Sequence, residues 1–222
     1  PNLLYLNDQD GTFAERASTS RIADMSEGWG AVAGDLDNDG DPDIYLTNYF
    51  SENQLFLNDG GGRFVTAVES GASDPGPSTS AALADYNNDG HLDIYVLNRS
   101  QAEDDYANAL LLSNGDGSFA DVTAWSGTGN RGTSLAVSSF DYDADGYQDI
   151  YIANEFELDA LYNNSRDGTF ANRAKELGLP HGAGMGVDFS DYDNDGDLDV
   201  YVSNLQRDFL LQNNGDGTFT DR

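Results

Sequence analysis

Cysteine is absent from the 222-residue sequence, and only two histidines are present, His91 and His181. Disulfide bonds and thiolate metal sites are therefore excluded, and no Cys/His pattern indicates a zinc ion. Lysine and arginine are scarce, at 10 residues against 40 aspartates and glutamates. Nucleic-acid phosphates require clustered basic residues, so the composition argues against a nucleic-acid partner. No apolar run reaches the roughly 18 residues of a membrane-spanning helix, which argues against membrane insertion.

The acidic excess gives the chain a formal net charge of −30, while hydrophobic residues make up 38% of it. That apolar fraction is sufficient for a core in one domain of this length. A compact body with so many uncompensated carboxylates would repel itself. We therefore expect cations to neutralise part of the charge, and divalent ions are the natural candidates.

Two sequence motifs alternate along the whole chain. The first, Asp-x-Asp/Asn-x-Asp-Gly-x-x-Asp, begins at Asp35, Asp85, Asp141 and Asp191, which we number loops 1 to 4. The second, close to Asn-Asn-Gly-Asp-Gly-Thr-Phe, occurs five times and ends at Phe13, Phe64, Phe119, Phe170 and Phe219. Self-similarity at a period near 50 residues is typical of repeat architectures.

Each repeat contains the pattern of four short strands. A segment of small residues precedes each Asp loop, and alternating β-branched and aromatic residues follow it, as in Asp43-Ile44-Tyr45-Leu46. The Asp-Gly or Gly-Gly pair of the second motif predicts a hairpin turn. Four strands in about 50 residues match one blade of a β-propeller, with the small residues on the innermost strand. A helix is predicted only at residues 172–177.

The predicted fold class is therefore all-β, a propeller or an open propeller-like array of four to five four-stranded blades with calcium-binding loops. We predict one repeat domain over residues 1–222, with an outer hairpin at 1–16 and repeats at about 17–66, 67–122, 123–173 and 174–222. Four inner strand pairs and five outer hairpins do not make whole blades. Either the chain is part of a larger ring, or the surplus hairpin completes a neighbouring molecule by strand addition.

The Asp loops have the spacing expected of a calcium site. Calcium takes six to eight oxygens, and acids at positions 1, 3, 5 and 9, with glycine at position 6, wrap those oxygens around one point. The predicted side-chain ligands are Asp35, Asp37, Asp39, Asp43; Asp85, Asn87, Asp89, Asp93; Asp141, Asp143, Asp145, Asp149; and Asp191, Asp193, Asp195, Asp199. The predicted carbonyl ligands at position 7 belong to Asp41, His91, Tyr147 and Asp197.

Other metal chemistries fit these loops less well. An EF-hand needs a bidentate glutamate at position 12. That position instead holds Leu46, Val96, Ile152 or Val202. Magnesium retains several waters and suits a cage of four carboxylates poorly. Asn87 replaces a carboxylate in loop 2, so we expect a weaker second site.

The sequence also predicts whether several residues outside the ligand set are buried or exposed. We expect the tyrosines that follow the loops to belong to the core: Tyr45, Tyr95, Tyr151 and Tyr201. We expect acids such as Glu155, Glu157 and Asp159, and both histidines, to lie at the solvated surface. Two glycosylation sequons begin at Asn98 and Asn163. The insertion at residues 99–108 is expected to be a solvated connector, with a binding loop as the alternative.

The arrangement of Asp loops and Gly-rich turns resembles the FG-GAP/VCBS repeat, the blade unit of integrin-type propellers. The Asn-Asn-Gly-Asp-Gly-Thr-Phe segments and residues 173–179 look especially like the cartilage-acidic-protein and ASPIC/UnbV group. The resemblance spans essentially the whole chain. It implies a calcium ion in the loop of each blade, on an extracellular or periplasmic propeller. Such propellers usually have about seven blades, more than this chain supplies.

The resulting functional expectation is a non-enzymatic extracellular calcium-binding domain for adhesion, scaffolding or self-assembly. No nucleophile–base pattern or phosphate-binding loop indicates catalysis. The expected partners are a protein or glycan surface, or further copies assembled head to tail through open sheet edges. A carbohydrate-binding propeller is the alternative, and a polysaccharide-active enzyme scaffold is a weaker one.

Overall fold

The computed structural model describes residues 2–100 and 106–222. Part of the 99–108 insertion, expected to be a connector or alternatively a binding loop, lies outside these residues. The described chain is nearly all β. The strands are β1 (Tyr5–Asn7), β2 (Phe13–Glu15), β3 (Gly28–Gly34), β4 (Asp43–Asn48), β5 (Gln54–Asn58), β6 (Phe64–Thr66), β7 (Ser78–Ala84), β8 (Asp93–Asn98), β9 (Ala109–Ser113), β10 (Phe119–Asp121), β11 (Thr133–Phe140), β12 (Asp149–Leu158), β13 (Ala160–Asn164), β14 (Phe170–Asn172), β15 (His181–Ser190), β16 (Asp199–Asn204), β17 (Phe209–Asn213) and β18 (Phe219–Asp221).

The strands form four antiparallel four-stranded units in chain order. We name them blade 1 (β3–β6), blade 2 (β7–β10), blade 3 (β11–β14) and blade 4 (β15–β18). The hairpin β1–β2 stands apart as a two-stranded sheet. Blades 3 and 4 are joined into one eight-stranded sheet, because Glu155 pairs with Ala183 and Leu158 pairs with His181.

The first strand of each blade lies innermost, as the small residues of β3, β7, β11 and β15 predict. These strands pack sequentially against one another, β3 on β7, β7 on β11 and β11 on β15. At Gly30 an added Cβ would lie 3.0 Å from the Thr79 carbonyl oxygen, so only glycine permits this approach. Within the described chain no comparable packing joins β15 back to β3. The blades thus form an open propeller-like arc, which confirms the predicted fold class.

The core consists of layers between successive blades. Tyr45, Tyr95 and Tyr151 are each fully buried in such a layer, as expected. Tyr45 also donates its hydroxyl to the carbonyl of Ala72 on the connection to blade 2, at 2.8 Å. The expectation for Tyr201 is wrong, because it is 46% exposed and no described strand covers that face of blade 4.

Two short helices occur in the connections between blades. Helix α2 (Ala174–Leu177) lies within the predicted segment and is followed by Gly178, whose φ of 64° is left-handed. Helix α1 (Thr123–Ser126) was not predicted, and it is a single turn. Ala174 and Leu177 pack against the layer that contains Tyr151, so α2 covers the outer part of the junction between blades 3 and 4. In the described residues no helix has the length and apolar character needed to cross a bilayer.

Candidate metal centres

Each Asp loop folds around the carboxylate of its first residue. In loop 1 Asp35 Oδ1 accepts a hydrogen bond from the Asp39 backbone N–H at 3.1 Å, and Oδ2 accepts one from the Gly40 N–H at 3.1 Å. The same two bonds recur at Asp85, Asp141 and Asp191. The sequence motif therefore dictates one loop conformation in all four blades.

Two left-handed residues make that conformation possible. Gly40 at position 6 has φ 95°, as the glycine of the motif predicts. Asn38 at position 4 has φ 60°, and asparagine is one of the few side chains that tolerates this region. The equivalent residues Asn88, Ala144 and Asn194 are also left-handed. The recurrent asparagine was the sequence signal for this second turn residue.

The position-4 asparagines also connect one blade to the next. Asn38 Nδ2 lies 2.8 Å from His91 Nδ1 in loop 2. Asn88 Nδ2 donates to the carbonyl of Gly146 in loop 3 at 3.0 Å. Neighbouring loops therefore lie side by side, and His91 contacts loop 1 rather than standing alone at the surface.

The aspartate at position 9 ties each loop to its own outer hairpin. Asp43 is fully buried, and its two oxygens accept hydrogen bonds from the N–H groups of Leu36 and Asn58, both at 2.8 Å. Asp93, Asp149 and Asp199 are buried and make the equivalent pair of bonds. These carboxylates thus have a structural role, in addition to the ligand role predicted from the sequence.

Three of the four loops gather carboxylates closely enough to share an ion. The ligand atoms of each group lie within 4.8 Å of one another: Asp35, Asp37 and Asp39; Asp141, Asp143 and Asp149; Asp191, Asp193 and Asp199. No equivalent group of three acids forms in loop 2 among the described residues. There Asn87 donates its amide to Asp89 Oδ2 at 2.8 Å, so it satisfies a carboxylate instead of adding one.

The remaining predicted ligands lie on the same loops. The carboxylate at position 5 accepts a hydrogen bond from the backbone N–H of position 7. This bond fixes the position-7 residues in the turn: Asp41, His91, Tyr147 and Asp197. The side chain of Asp41 lies against Gly60, and that of Asp197 lies against Gly215. Position 7 therefore also contacts the Gly-rich turn of the outer hairpin.

The electrostatics of the loops favour a bound cation. Burial, followed by the charge of Asp43, raises the pKa of Asp37 above its ordinary value. Burial also raises the pKa of Asp93 to about 6 and that of Asp149 to about 7. A divalent ion would relieve this crowding of negative charge. The donor set is made only of oxygen atoms, which suits a hard cation such as calcium.

Loops 3 and 4 also receive donors from their outer hairpins. Arg166 Nε lies 2.6 Å from Asp145 Oδ2, and Asn163 Nδ2 donates to Asp143 Oδ2 at 3.0 Å. In loop 4 the Gln212 amide donates to Asp193. Asn163, the start of one sequon, is thus engaged with a loop carboxylate, and Asn98, the start of the other, is 1% exposed.

Four segments of the sequence match the family model of the FG-GAP-like repeat, at residues 1–46, 35–96, 100–152 and 141–202. The chain belongs to the FG-GAP-like repeat family. The resemblance to the FG-GAP repeat is therefore confirmed. A search of the curated proteins finds no significant match to this FG-GAP chain.

Solved structures share the fold of this FG-GAP chain at low sequence identity. A lectin from Agrocybe aegerita, described as recognising non-reducing terminal N-acetylglucosamine, is 21% identical with a TM-score of 0.59, over 98% of this chain and 59% of the lectin. The V. cholerae biofilm matrix protein Bap1 is 16% identical with a TM-score of 0.50, over 88% of this chain and 30% of that protein. BBS1N, solved with ARL6DN, is 8% identical with a TM-score of 0.54, over 89% of this chain and 57% of its own.

Proposed function

We propose that this FG-GAP chain is a calcium-stabilised, extracellular and non-catalytic domain that presents a surface to a protein or glycan partner. The observation that carries the proposal is the gathering of carboxylates into three clusters in a chain of formal charge −30. Each cluster is held by backbone N–H groups, so the acids are placed before an ion arrives. Four calcium ions, one for each loop, would bring the formal charge to −22.

The calcium affinity expected of such loops supports the proposed extracellular location. Calcium sites of extracellular modules bind with dissociation constants of about 10⁻⁴ to 10⁻³ M. Such sites fill where calcium is always abundant. Each ion would join the end of an inner strand to the start of the next, because loops 1 to 4 connect β3 to β4, β7 to β8, β11 to β12 and β15 to β16.

Thermal unfolding with and without calcium tests this function. We expect millimolar calcium to raise the melting temperature and EDTA to lower it, since a ligand that binds only the folded state stabilises it. Magnesium at the same concentration should have a smaller effect. A melting temperature that is the same in calcium and EDTA would rule out structural calcium.

Self-association is the partner proposal that the exposed surfaces favour. The face of blade 4 that carries Tyr201 is equivalent to the buried faces of the first three blades, yet Tyr201 is 46% exposed. An uncovered blade face and open strand edges favour addition of another β element. Sedimentation in calcium over a range of protein concentrations, with a Tyr201→Lys variant as control, tests head-to-tail assembly. A monomer at every concentration would contradict it.

Carbohydrate binding is the second candidate function. The lectin that shares the fold over 98% of this chain is described as binding N-acetylglucosamine, and Bap1 is described as a biofilm matrix protein. Discrete hits on a glycan array would favour it over a purely protein-binding role.

A further inference from the structure

A tyrosine on the second strand of one blade fills the layer between that blade and the next. We call the face of a blade that packs on the preceding blade its front face. Each such tyrosine belongs to a buried cluster with three side chains of the next front face. The clusters contain Tyr45 with Ile94, Val96 and Leu111; Tyr95 with Ile150, Ile152 and Tyr162; and Tyr151 with Val200, Val202 and Leu211. The front faces of blades 2, 3 and 4 thus each receive one tyrosine.

The front face of blade 1 has a cavity at the equivalent place. Ile44 pairs with Phe56 in blade 1 as Ile94 pairs with Leu111 in blade 2, so these residues have corresponding positions. Ile44, Leu46 and Phe56 line a cavity of about 400 Å³, and its lining includes no tyrosine. The cavity therefore marks the one tyrosine position of the repeat that the described residues leave unfilled.

The hairpin β1–β2 covers only the outer part of this front face. Asn7 pairs with Phe13 as Asn58 pairs with Phe64, so β1 and β2 correspond to the third and fourth strands of a blade. Leu4 packs beside Phe56 in a small apolar cluster, and it also lines the cavity. The hairpin thus has the place of an outer hairpin, and the cavity lies where the second strand of the same blade would be.

One edge of β1 is open toward that place. The Leu4 carbonyl accepts a hydrogen bond from the Arg16 N–H at 2.7 Å, so Leu4 faces β2. Because backbone groups alternate along a strand, those of Tyr5 and Asn7 face the opposite edge. No described strand pairs with that edge, and Tyr5 is 56% exposed. An open edge of this kind is a template for a further strand.

The residues that correspond to Asn7 show what such a strand carries. In each blade this residue donates its backbone N–H, at 2.8 Å, to the aspartate that lies two residues before the tyrosine position. The pairs are Asn58 with Asp43, Ser113 with Asp93, Asn164 with Asp149, and Asn213 with Asp199. Asn7 is exposed and offers the same donor at the open edge of β1. Aspartate, one aliphatic residue and tyrosine therefore match the Asn7 N–H and the cavity together.

The folded chain has no free strand of this kind. The pattern occurs in β4, β8, β12 and β16, and each of these strands is already paired on both edges, as β8 is with β7 and β9. A second folded copy has the same four strands in the same pairings. A strand for the open edge of β1 therefore comes from outside the four blades.

We propose that the open edge of β1 and the cavity form a docking site for an extended strand with the pattern Asp-Ile/Val-Tyr, presented by a partner polypeptide. The strand adds antiparallel to β1, its aspartate accepts the Asn7 N–H, and its tyrosine enters the cavity against Ile44 and Leu46. Main-chain pairing with an edge strand, together with a pocket for one side chain, is a known mode of peptide recognition. The proposal deepens the protein-partner part of the proposed function by naming what the partner presents.

A peptide with the sequence of residues 92–99, Leu-Asp-Ile-Tyr-Val-Leu-Asn-Arg, is the probe. It is titrated into the whole chain in calcium by calorimetry. Trp29 lines the cavity, so its fluorescence reports filling of the site in a Trp125→Phe background. Trp125 is 60% exposed and lies on α1, away from the cavity.

Two peptide variants and two chain variants separate the contacts. In the peptide, Tyr95→Ala removes the ring and Asp93→Asn removes the charge. In the chain, Tyr5→Pro removes an N–H at the open edge, where proline is tolerated because that N–H has no ladder partner. Tyr5→Thr is the matched control, because it changes the same side chain and keeps the N–H.

We expect one peptide to bind per chain and to shift the Trp29 emission to shorter wavelength. The Tyr95→Ala peptide should bind at least tenfold more weakly, and the Asp93→Asn peptide about fivefold more weakly. Tyr5→Pro should lose binding, while Tyr5→Thr retains it.

Three results would overturn the docking site. Equal binding of the original and Tyr95→Ala peptides would show that the cavity does not take tyrosine. Binding by Tyr5→Pro as strong as by Tyr5→Thr, or binding without a change in Trp29 emission, would place the peptide elsewhere. Absence of binding at millimolar peptide would remove the site altogether, and the calcium-dependent melting temperature would still decide the proposed function by itself.

Discussion

Asn53 donates its side-chain amide to the hydroxyl of Ser78 at 2.8 Å, across the boundary between blades 1 and 2. Both residues are buried, and the Ser78 hydroxyl in turn donates to Asn98 Oδ1 in its own blade. The blades are thus joined by a polar contact with defined geometry as well as by apolar layers. Because a buried polar group without a hydrogen-bond partner is costly, this link fixes the position of one blade relative to the next.

Replacing Ser78 by alanine removes the group between the two amides. Asn53 keeps its contact with the Tyr45 hydroxyl at 3.1 Å, but Asn98 Oδ1 loses its donor. We expect Ser78→Ala to lower the free energy of unfolding by about 1–3 kcal/mol, measured by urea denaturation. Ser165→Ala, at an exposed turn, is the control and should change little. Equal stability of both variants would show that the link is dispensable.

In blade 1 Gly28 occupies the position that Ser78 has in blade 2, and an added Cβ there would meet only side-chain atoms, of Asn2 at 3.2 Å and of Leu46 at 3.3 Å. Gly28 pairs with Asn48, whose Oδ1 is buried without a donor in the described chain. A Cβ at this position would lie 3.2 Å from the Asn2 amide, at the end of a side chain that can shift. We expect Gly28→Ser to raise the free energy of unfolding by about 1 kcal/mol, and Gly28→Ala to give less.

The same change in blade 4 is the counterpart of this experiment. Gly184→Ser should destabilise, because its Cβ would meet Ala153 at 2.8 Å. Thermal melts of the three variants in calcium therefore separate the hydrogen bond from the space it needs. A destabilising Gly28→Ser would mean that the relation between Gly28 and Asn48 differs from that between Ser78 and Asn98.

Loop 2 should gain affinity when its asparagine is converted to aspartate. Asn87→Asp supplies the carboxylate that loops 1, 3 and 4 have at position 3, and ligand charge sets calcium affinity. The matched reverse change is Asp37→Asn in loop 1. We expect the first to strengthen one class of sites and the second to weaken one, by calorimetric calcium titration. Unchanged isotherms for both would exclude position 3 as a ligand.

We expect the buried Asp159 to make the junction between blades 3 and 4 sensitive to pH. It is 2% exposed, and burial raises its pKa to about 6. Hydrogen bonds from the Asn154 N–H and the Tyr151 hydroxyl, followed by the charge of His181, oppose this rise. Since the folded pKa lies above the unfolded value, the folded state holds the proton more tightly between about pH 4 and 6. The favourable contribution of the protonated acid is fully present below pH 4 and is lost as the pH rises through 6.

Asp159→Asn should remove this dependence. The equivalent positions in blades 1 and 2 hold Asn53 and Asn108, so an amide fits the site. We expect the variant to be more stable than wild type at pH 8, by up to about 3 kcal/mol, and to lose that advantage near pH 4. Denaturation in saturating calcium isolates the effect from the loops. A constant difference between the two proteins across this range would contradict a raised pKa at Asp159.

The repeats and their loops could be predicted from the sequence because each depends on local chemistry. The spacing of Asp35 to Asp43 and the glycine at position 6 specify a turn, and the alternation after it specifies a strand. The propeller-like fold followed from counting strands in each repeat.

What the sequence could not show depends on contacts between blades. Tyr201 has the same local pattern as Tyr151, but only a following blade buries such a residue. Asp159 was expected at the surface as an isolated acid, yet it occupies the buried position of Asn53 and Asn108. The strand register places Ser78 beside Asn98 and Gly184 beside Asn204, and the sequence alone does not give this pairing.

Equilibrium calcium binding to the purified chain, followed together with its melting temperature, decides whether the loop carboxylates hold calcium. We expect at least three bound ions, one for each carboxylate cluster, with dissociation constants of about 10⁻⁴ to 10⁻³ M and a melting temperature that rises as the sites fill. A folded chain that binds no calcium at millimolar concentration would contradict it.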